Sequence, residues 1–462
     1  MTMGYDCRRP GCNPAFVLVD HFTAGLQPGL PTSKDTKELK MKTRVFPTAV
    51  LAGACLFVGL FSGADWSRFR GPQTAGVADE TNAAGVPLSW EADENVVWKT
   101  ALPGPGASSP IVVGERVFIT SYSGYGLSKD EPGEQSNLRH HLLCVDRTSG
   151  KILWEKTTKA KLPEKSYEGF MDFHGYASST PTSDGQAVFA FFGRSGVYAY
   201  SLDGELLWQA DVGTKIHIWG SGASPILYKD LLIVNASIES GSVIALDKRT
   251  GKEQWKVSGI SESWSTPLVV TLPNGKDELV VSMHSKIFGI DPATGEKLWT
   301  CASVKDYVCP SVIAHEDVVF VSSGRRPLTL AVRCGGRGDV SDTHVLWELK
   351  KTPAVPTPLY HDGHLYWLDK RMAACVNVKT GKLITKKRVN GLGIVYASMV
   401  LADGRLYAIS REKGTVVMAA EPSMKELGRN DLGDESIFNG TPAVDDGQLL
   451  IRSDRYLYCI GK

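Results

Sequence analysis

This 462-residue chain lacks most of the short motifs by which a cofactor enzyme announces itself. It has no two adjacent cysteines, no Cys-x-x-Cys and no Cys-x-x-Cys-His. That removes the main support for a zinc ribbon, a thioredoxin-like redox pair or a covalently held haem. Six cysteines follow residue 64, at Cys144, Cys301, Cys309, Cys334, Cys375 and Cys459. They are too few for a disulfide scaffold. Four sit among apolar or strand-like neighbours and read as buried thiols, and Cys301 and Cys309 are the pair that an oxidising compartment would allow to bridge. An excess of charge is missing too: 51 Lys and Arg against 50 Asp and Glu leave +1, so nothing in the balance draws nucleic acid or an anionic membrane. The glycines do not sit between a strand and a helix as a phosphate loop requires. The serines of "GSGAS" lack the strand-turn-helix setting of a nucleophile elbow.

Long apolar runs are also scarce. The one candidate, Val45 to Phe61, is short for a membrane span and contains Pro47. Lys42 and Arg44 precede it and Ser62-Gly63-Ala64 comes after it, which is the layout of a secretory signal opening at Met41 and cleaved near Ala64. The mature chain is therefore expected in the periplasm or outside the cell, without a transmembrane segment. Cys55, in "LAGAC", is a poor lipid-attachment site because apolar residues continue past it. Residues 1–40 show no sustained periodicity and read as an upstream or disordered extension. Residues 65–93 form a lead-in segment.

The remainder is rich in turn and strand formers: 47 Gly, 24 Pro, 11 Trp and 15 Tyr in the whole chain. It is also repetitive. From Ser265, "STPLVVTLPNG", "KDELVVSMHS", "KIFGIDPATG" and "EKLWTCAS" read as four strands with a tight turn before the last. Proline or its equivalent marks the start of each unit at Pro110, Pro181, Pro225, Pro267, Pro310, Pro358, Met399 and Pro442. The last unit stops after three strands, and "ENVVWKTALPG" near residue 94 is a fourth strand with no unit before it. Pairing the two ends closes a ring and removes the exposed sheet edges. The expected fold is all-β: an eight-bladed β-propeller of four-stranded antiparallel blades over residues 94–462, with the N-terminal strand completing the last blade. In "DKRTG" and "DPATG", Asp247 and Asp291 can accept backbone amides while Gly251 and Gly295 take a positive φ. The aromatic residues after such turns, Trp98, Trp154, Trp208, Trp255, Trp299 and Trp347, read as inter-blade core.

These units resemble the repeat family named for pyrroloquinoline quinone (PQQ) enzymes, through Ala-x-Asp-x-x-Thr-Gly-x-x-x-Trp at Ala245–Trp255 and, nearly kept, Gly289–Trp299. "DWSRFRGPQTAG" resembles the lead-in of exported members from planctomycete-type bacteria. The family includes quinone-dependent alcohol and glucose dehydrogenases and a non-enzymatic scaffold subunit that assists outer-membrane protein assembly. The resemblance to the quinone enzymes implies a vicinal disulfide, a calcium or lanthanide cage of Glu, Asn and Asp, and an Asp base. The vicinal pair is absent here, and no motif fixes Glu262, Asp306 and Asn439 as a cage. His361-Asp-Gly-His364 has ligand-like residue types but falls in a hairpin turn.

Function is expected where the repeat varies, at the channel mouth just before each innermost strand. The candidate binding residues there are His174, Tyr176, His217, Trp219, Glu262, Trp264, Tyr307, Tyr396, Phe438 and Asn439. A second candidate is the insertion from Thr157 to Met171, long and charged enough to act as a lid or docking loop. A longer stretch, "SYSGYGLSKDEPGEQSNLRHH", would shield a rim. The expectation is a monomeric, non-catalytic binding or scaffold module for an envelope protein, peptide or glycan, with no catalytic residue, metal or cofactor assigned. The alternative is an oxidoreductase using PQQ with calcium, or another cofactor, at a divergent site.

Overall fold

The computed structural model describes residues 66–303 and 305–462, so the 1–40 extension, the 41–64 signal and Cys55 lie outside it. Eight sheets succeed one another around a ring. Their first strands begin at Ile111, Thr182, Ile226, Leu268, Ile313, Leu359, Val400 and Ala443, which number blades one to eight. Blade three shows the unit: Ile226–Tyr228, Leu231–Ala236, Ser242–Asp247 and Glu253–Ser258, antiparallel in chain order. First strands of adjoining blades approach one another, so they line the axis. The middle strands are buried on both faces between neighbouring sheets, whereas Glu253–Ser258 at the rim alternates exposed and buried. Blade eight has three C-terminal strands, and Val96–Ala101 pairs antiparallel with Tyr456–Ile460 to complete it. Among the described residues no helix is long and apolar enough to cross a membrane.

A hydroxyl at the start of the first strand in blades two to eight joins the blades near the axis. The N–H of Ser109 donates to Thr180 Oγ1 at 2.9 Å, Thr180 to Ser224 Oγ at 3.0 Å, and Ser224 to Thr266 Oγ1 at 3.1 Å. The chain of bonds continues from Thr266 to Ser311 at 3.0 Å, Ser311 to Thr357 at 2.9 Å, Thr357 to Ser398 at 2.9 Å and Ser398 to Thr441 at 3.0 Å. Each bond runs from one blade to the next. At the remaining junction, between blades eight and one, the buried Arg452 inserts instead. Its Nη1 donates to Ser108 Oγ (3.3 Å) and Thr120 O (3.0 Å), and Gly440 leaves room for its stem, since a Cβ there would lie 2.6 Å from Arg452 Cγ. This hydroxyl register corrects the marker expected in blade five. Ser311 occupies the place that precedes proline elsewhere, so Pro310 lies upstream of the repeat position and the strand begins at Ile313.

Farther out, tryptophan joins neighbouring blades at five of the eight junctions. Trp98 donates through Nε1 to Arg147 O (2.8 Å), Trp154 to Leu202 O (2.9 Å), Trp208 to Lys248 O (2.9 Å), Trp255 to Pro292 O (3.2 Å) and Trp347 to Val378 O (2.7 Å). Each acceptor lies in the turn before the next blade's rim strand. The glycine of that turn lies against the indole: a Cβ on Gly251 (φ +72) would approach Trp208 to 2.6 Å. Asp247 Oδ1 holds the turn by accepting the Thr250 N–H (2.8 Å) and hydroxyl (2.8 Å). Trp299 also fills space between blades four and five, but it bonds inward, to Glu278 Oε2 at 2.7 Å. Blade five lacks the Asp-x-x-Thr-Gly turn that would receive it. The ring instead crowds Gly289, where a Cβ would lie 2.0 Å away, and this accounts for glycine replacing the repeat's alanine. Gly335 N–H and Arg337 complete the coordination of the buried Glu278, and Gly338–Asp339 adds a fifth, parallel strand to blade four. Cys301 and Cys309 are both free thiols, the first buried in that blade's core.

The lead-in packs against the opposite face of the ring from the one where the first strands enter. Trp66 and Trp90 are buried, Trp66 O accepts the Val112 N–H (3.0 Å), and Arg70 Nη2 donates to Pro358 O (2.8 Å). Thr266→Val keeps shape but leaves the buried Ser224 N–H without an acceptor, at a cost of about 1–3 kcal/mol. Chemical denaturation should show that loss in Thr266→Val and little of it in Thr266→Ser. Equal stability of the two variants would remove the hydroxyl from this account.

Candidate functional site

The axial channel opens at one end into a cavity of about 200 Å³. Its wall includes the hydroxyl ring, namely Ser109, Thr180, Ser224, Thr266, Ser311, Thr357, Ser398 and Thr441, and Phe69 of the lead-in also lines it. Aromatic side chains crowd the mouth. Six of the ten residues expected there line the cavity: His174, Trp219, Trp264, Tyr307, Tyr396 and Asn439. Trp219 packs edge-on against Tyr307 at 4.5 Å between centroids and lies 5.0 Å from Trp264, whose Nε1 donates to Gly220 O at 2.8 Å. His174 Nε2 donates to Trp219 O (2.9 Å), which leaves Nδ1 to accept from Ser178 Oγ (2.6 Å).

The other four expected residues do not line it. His217 packs on the outside of Trp264, 4.9 Å between rings. Glu262 sits at φ +45 and bonds to His284 (3.0 Å) on the surface. Phe438 points the other way from its neighbour Asn439, as successive residues of an extended chain do, and stacks on Tyr458. Tyr176 succeeds Gly175 (φ +66) into a buried cluster with Tyr122 and Tyr125, and its hydroxyl donates to Lys165 O (2.7 Å).

Several residues at the mouth were not singled out by the sequence. Phe170 lies within the insertion expected at Thr157–Met171 as a lid or docking loop, and Phe173 lies just beyond it, in the short helix Met171–His174. Phe170 meets Trp219 edge-on at 4.9 Å and Phe173 meets Tyr396 at 6.2 Å. Arg411, 4% exposed, lies 5.1 Å over Phe173 and 4.7 Å over Tyr396. Arg325 lies 5.8 Å from the Trp219 ring and 5.3 Å from Tyr307. The repeat pattern carries no signal for these contacts, because they depend on the path of one insertion across the ring. Three polar atoms of the lining are buried without a hydrogen-bond partner among the described residues: Trp219 Nε1 and Asn439 Oδ1 at the mouth, and Ser109 Oγ in the hydroxyl ring.

The lining does not suit PQQ with calcium. It contains no Asp, Glu, Lys or Arg to meet an anionic quinone or a hard cation. Glu262 faces the surface, and Asp306 already accepts from the Tyr307 and Arg326 amides (2.9 and 2.5 Å). No group of three His, Cys, Asp or Glu suited to a metal occurs among the described residues.

Burial sets two opposing titrations around the insertion. Desolvation lowers the His174 pKa from 6.5 to about 4, and it raises that of Glu239, which accepts from Ser221 Oγ, from 4.5 to about 7. Desolvation, then the nearby Glu239 charge, also raises Glu164 of the insertion to about 7. His174 therefore contributes stability that is present above pH 6.5 and lost as pH falls through 4, whereas the Glu239 contribution is full below pH 4.5 and lost as pH rises through 7. Melting curves against pH should show His174→Asn flattening the acid-side loss and Glu239→Gln flattening the loss toward neutral pH. Unchanged profiles would contradict these protonation states.

No curated protein matches the sequence. Among solved structures, the chain is similar to BamB from Moraxella catarrhalis (12% identity, TM-score 0.55, covering 79% of this chain and 96% of that one). It is also similar to the quinohemoprotein alcohol dehydrogenase of Comamonas testosteroni (11%, 0.60, 86% and 81%) and to the computationally designed Ika8 protein (11%, 0.55, 79% and 99%). At such identities the likeness is one of fold alone. The sequence itself matches the model of the family described as outer membrane protein assembly factor BamB over residues 135–259 and 239–462. These two stretches run from within blade one through the end of blade eight, and the chain belongs to that family of PQQ-like repeat propellers.

Proposed function

We propose that this chain is an exported, non-catalytic propeller whose channel mouth binds an extended or turn-forming segment of another envelope protein. The observation that carries the reading is the mouth itself. Phe170, which packs on Trp219, is 51% exposed, and Ile216 and Ile218, which flank His217 beside the same Trp219, are exposed as well. Exposed apolar groups gathered at one place mark interaction surfaces, and aromatic and arginine side chains dominate the energetics of such surfaces. The unpartnered donor on Trp219 and acceptor on Asn439 are the complement of a peptide group, which offers one C=O and one N–H. Nothing charged lines the cavity, which favours an apolar side chain over the head group of a polar metabolite. Family membership and the assembly-factor name of that family agree with a protein partner.

Selection of displayed peptides on the purified chain, with calorimetry on the winners, tests this. Ligands with large apolar or aromatic anchors are expected. Trp219→Ala should weaken them at least about tenfold, or ~1.4 kcal/mol, with the melting temperature little changed. Selection of ligands indifferent to Trp219, or binding only of glycans on an array, would contradict the proposal. Quinone-dependent dye reduction after addition of PQQ and calcium would replace it with the oxidoreductase reading.

A further inference from the structure

The segment joining blades one and two departs farthest from the repeat. It does not pass directly between the sheets but extends over the channel mouth. Its base is tied to blade two, with the Lys161 N–H on Ser195 Oγ (3.0 Å) and Arg194 Nη2 on Leu162 O (3.0 Å). Its tip, Phe170-Met171-Asp172-Phe173, reaches residues of three other blade entrances. Phe170 lies on Trp219 before blade three, Phe173 lies on Tyr396 before blade seven, and the Phe173 carbonyl accepts from Asn439 Nδ2 (2.6 Å) before blade eight. Arg411 Nη1 supplies a second donor to the same carbonyl at 3.1 Å. Asp172 pairs with Lys129 at 2.8 Å. Met171 anchors the turn in the buried tyrosine cluster. Side chains in aromatic slots and a main-chain carbonyl on paired donors are the contacts that a docked peptide makes.

As an occupant, the segment is incomplete. It satisfies the amide of Asn439 but leaves its Oδ1 unpartnered, along with Trp219 Nε1. An unmet buried polar group is costly, and a ligand that supplies both N–H and C=O removes that penalty. Phe170 and Phe173 each keep a third or more of their surface in solvent. The groups beside the tip are cationic: Arg411, the exposed Arg325 over Trp219 and Tyr307, and Lys129.

We infer that the tip is an internal, displaceable occupant of the mouth, and that the external ligand is a protein segment of the same chemistry, with two aromatic residues about three apart and an acidic residue between them. This rests on the mouth being a peptide-binding site. It adds a competition, because a tethered occupant of ~10 µM intrinsic affinity acting at an effective concentration of about 1 mM weakens an external ligand by roughly 100-fold.

The probe is a labelled synthetic peptide spanning Lys165–Tyr176, titrated by fluorescence anisotropy against the full-length chain. Two altered chains accompany it. One carries Phe170→Ala with Phe173→Ala and keeps the buried Met171. The other replaces residues 168–173 with Gly and Ser. Both are expected to bind the peptide at least tenfold more tightly than the parent. Adding Trp219→Ala to the double-alanine chain should abolish the gain, and an Asp172→Lys peptide should bind it several-fold more weakly. A folded double-alanine chain that binds no more tightly than the parent would overturn the inference, as would binding indifferent to the Asp172→Lys change. If ligands selected on the parent still require Trp219 in that event, only internal occupancy falls. If Trp219→Ala is silent toward both selected ligands and the probe, the binding reading of the mouth falls with it.

Discussion

Closing eight separate sheets into a ring requires each blade to know its neighbour, and here one hydroxyl carries that knowledge at seven of the eight junctions. The N–H of each first-strand entry residue is buried at the axis, where water is scarce and an unmet donor is costly. From blade one to blade seven, the next blade's serine or threonine meets it. The bond from Ser224 to Thr266 links strands forty-two residues apart, and those from Ser109 to Thr441 repeat that geometry around the channel. A residue with both a small side chain and an acceptor is required, which restricts the position to Ser or Thr. Arg452 stands at the blade eight to blade one junction, where the chain ends meet, and bonds to Ser108 and Thr120 across it.

The tryptophans provide a second connection at larger radius. An indole that donates to the next turn and covers its glycine combines dispersion, burial and one hydrogen bond in a single side chain. The two connections together fix both the spacing and the tilt of neighbouring sheets. Blade five illustrates the dependence. Without the Asp-x-x-Thr-Gly turn, Trp299 turns back on its own sheet, and a buried Glu278 with an extra strand makes good the junction.

Most of this architecture was legible because it is local and periodic. Strand alternation, the Asp-to-Gly turns and the unmatched strand around Trp98 each leave a signal within about ten residues, and together they give blade number and ring closure. Proline drew attention to the correct place for an incomplete reason. The geometry that repeats is that of the hydroxyl, as Ser311 and Ser398 show by keeping it without a proline after them. The site was only half legible. Trp219, Trp264, Tyr307, Tyr396 and Asn439 are found at the mouth because every entry strand converges there. Phe438 and Tyr176 are not, because one step along an extended chain or one left-handed glycine redirects a side chain. Phe170, Phe173 and Arg411 meet their partners through contacts that join distant parts of the chain, such as Phe173 with Tyr396 and Arg411, for which a single sequence carries no pattern.

Scaffold and site use different residues of the same ring. Most polar groups of the ring hold the blades together, and the mouth is left aromatic, with Arg325 and Arg411 at its edge, and partly filled by the protein's own chain. Hydrogen–deuterium exchange with and without a saturating aromatic-acidic peptide tests that central claim most directly. The account predicts faster exchange for the amides of Phe170–Gly175, as the tip leaves, together with slower exchange at the Trp219 and Tyr307 entrances. Slower or unchanged exchange at Phe170–Gly175 while the peptide is bound would contradict it.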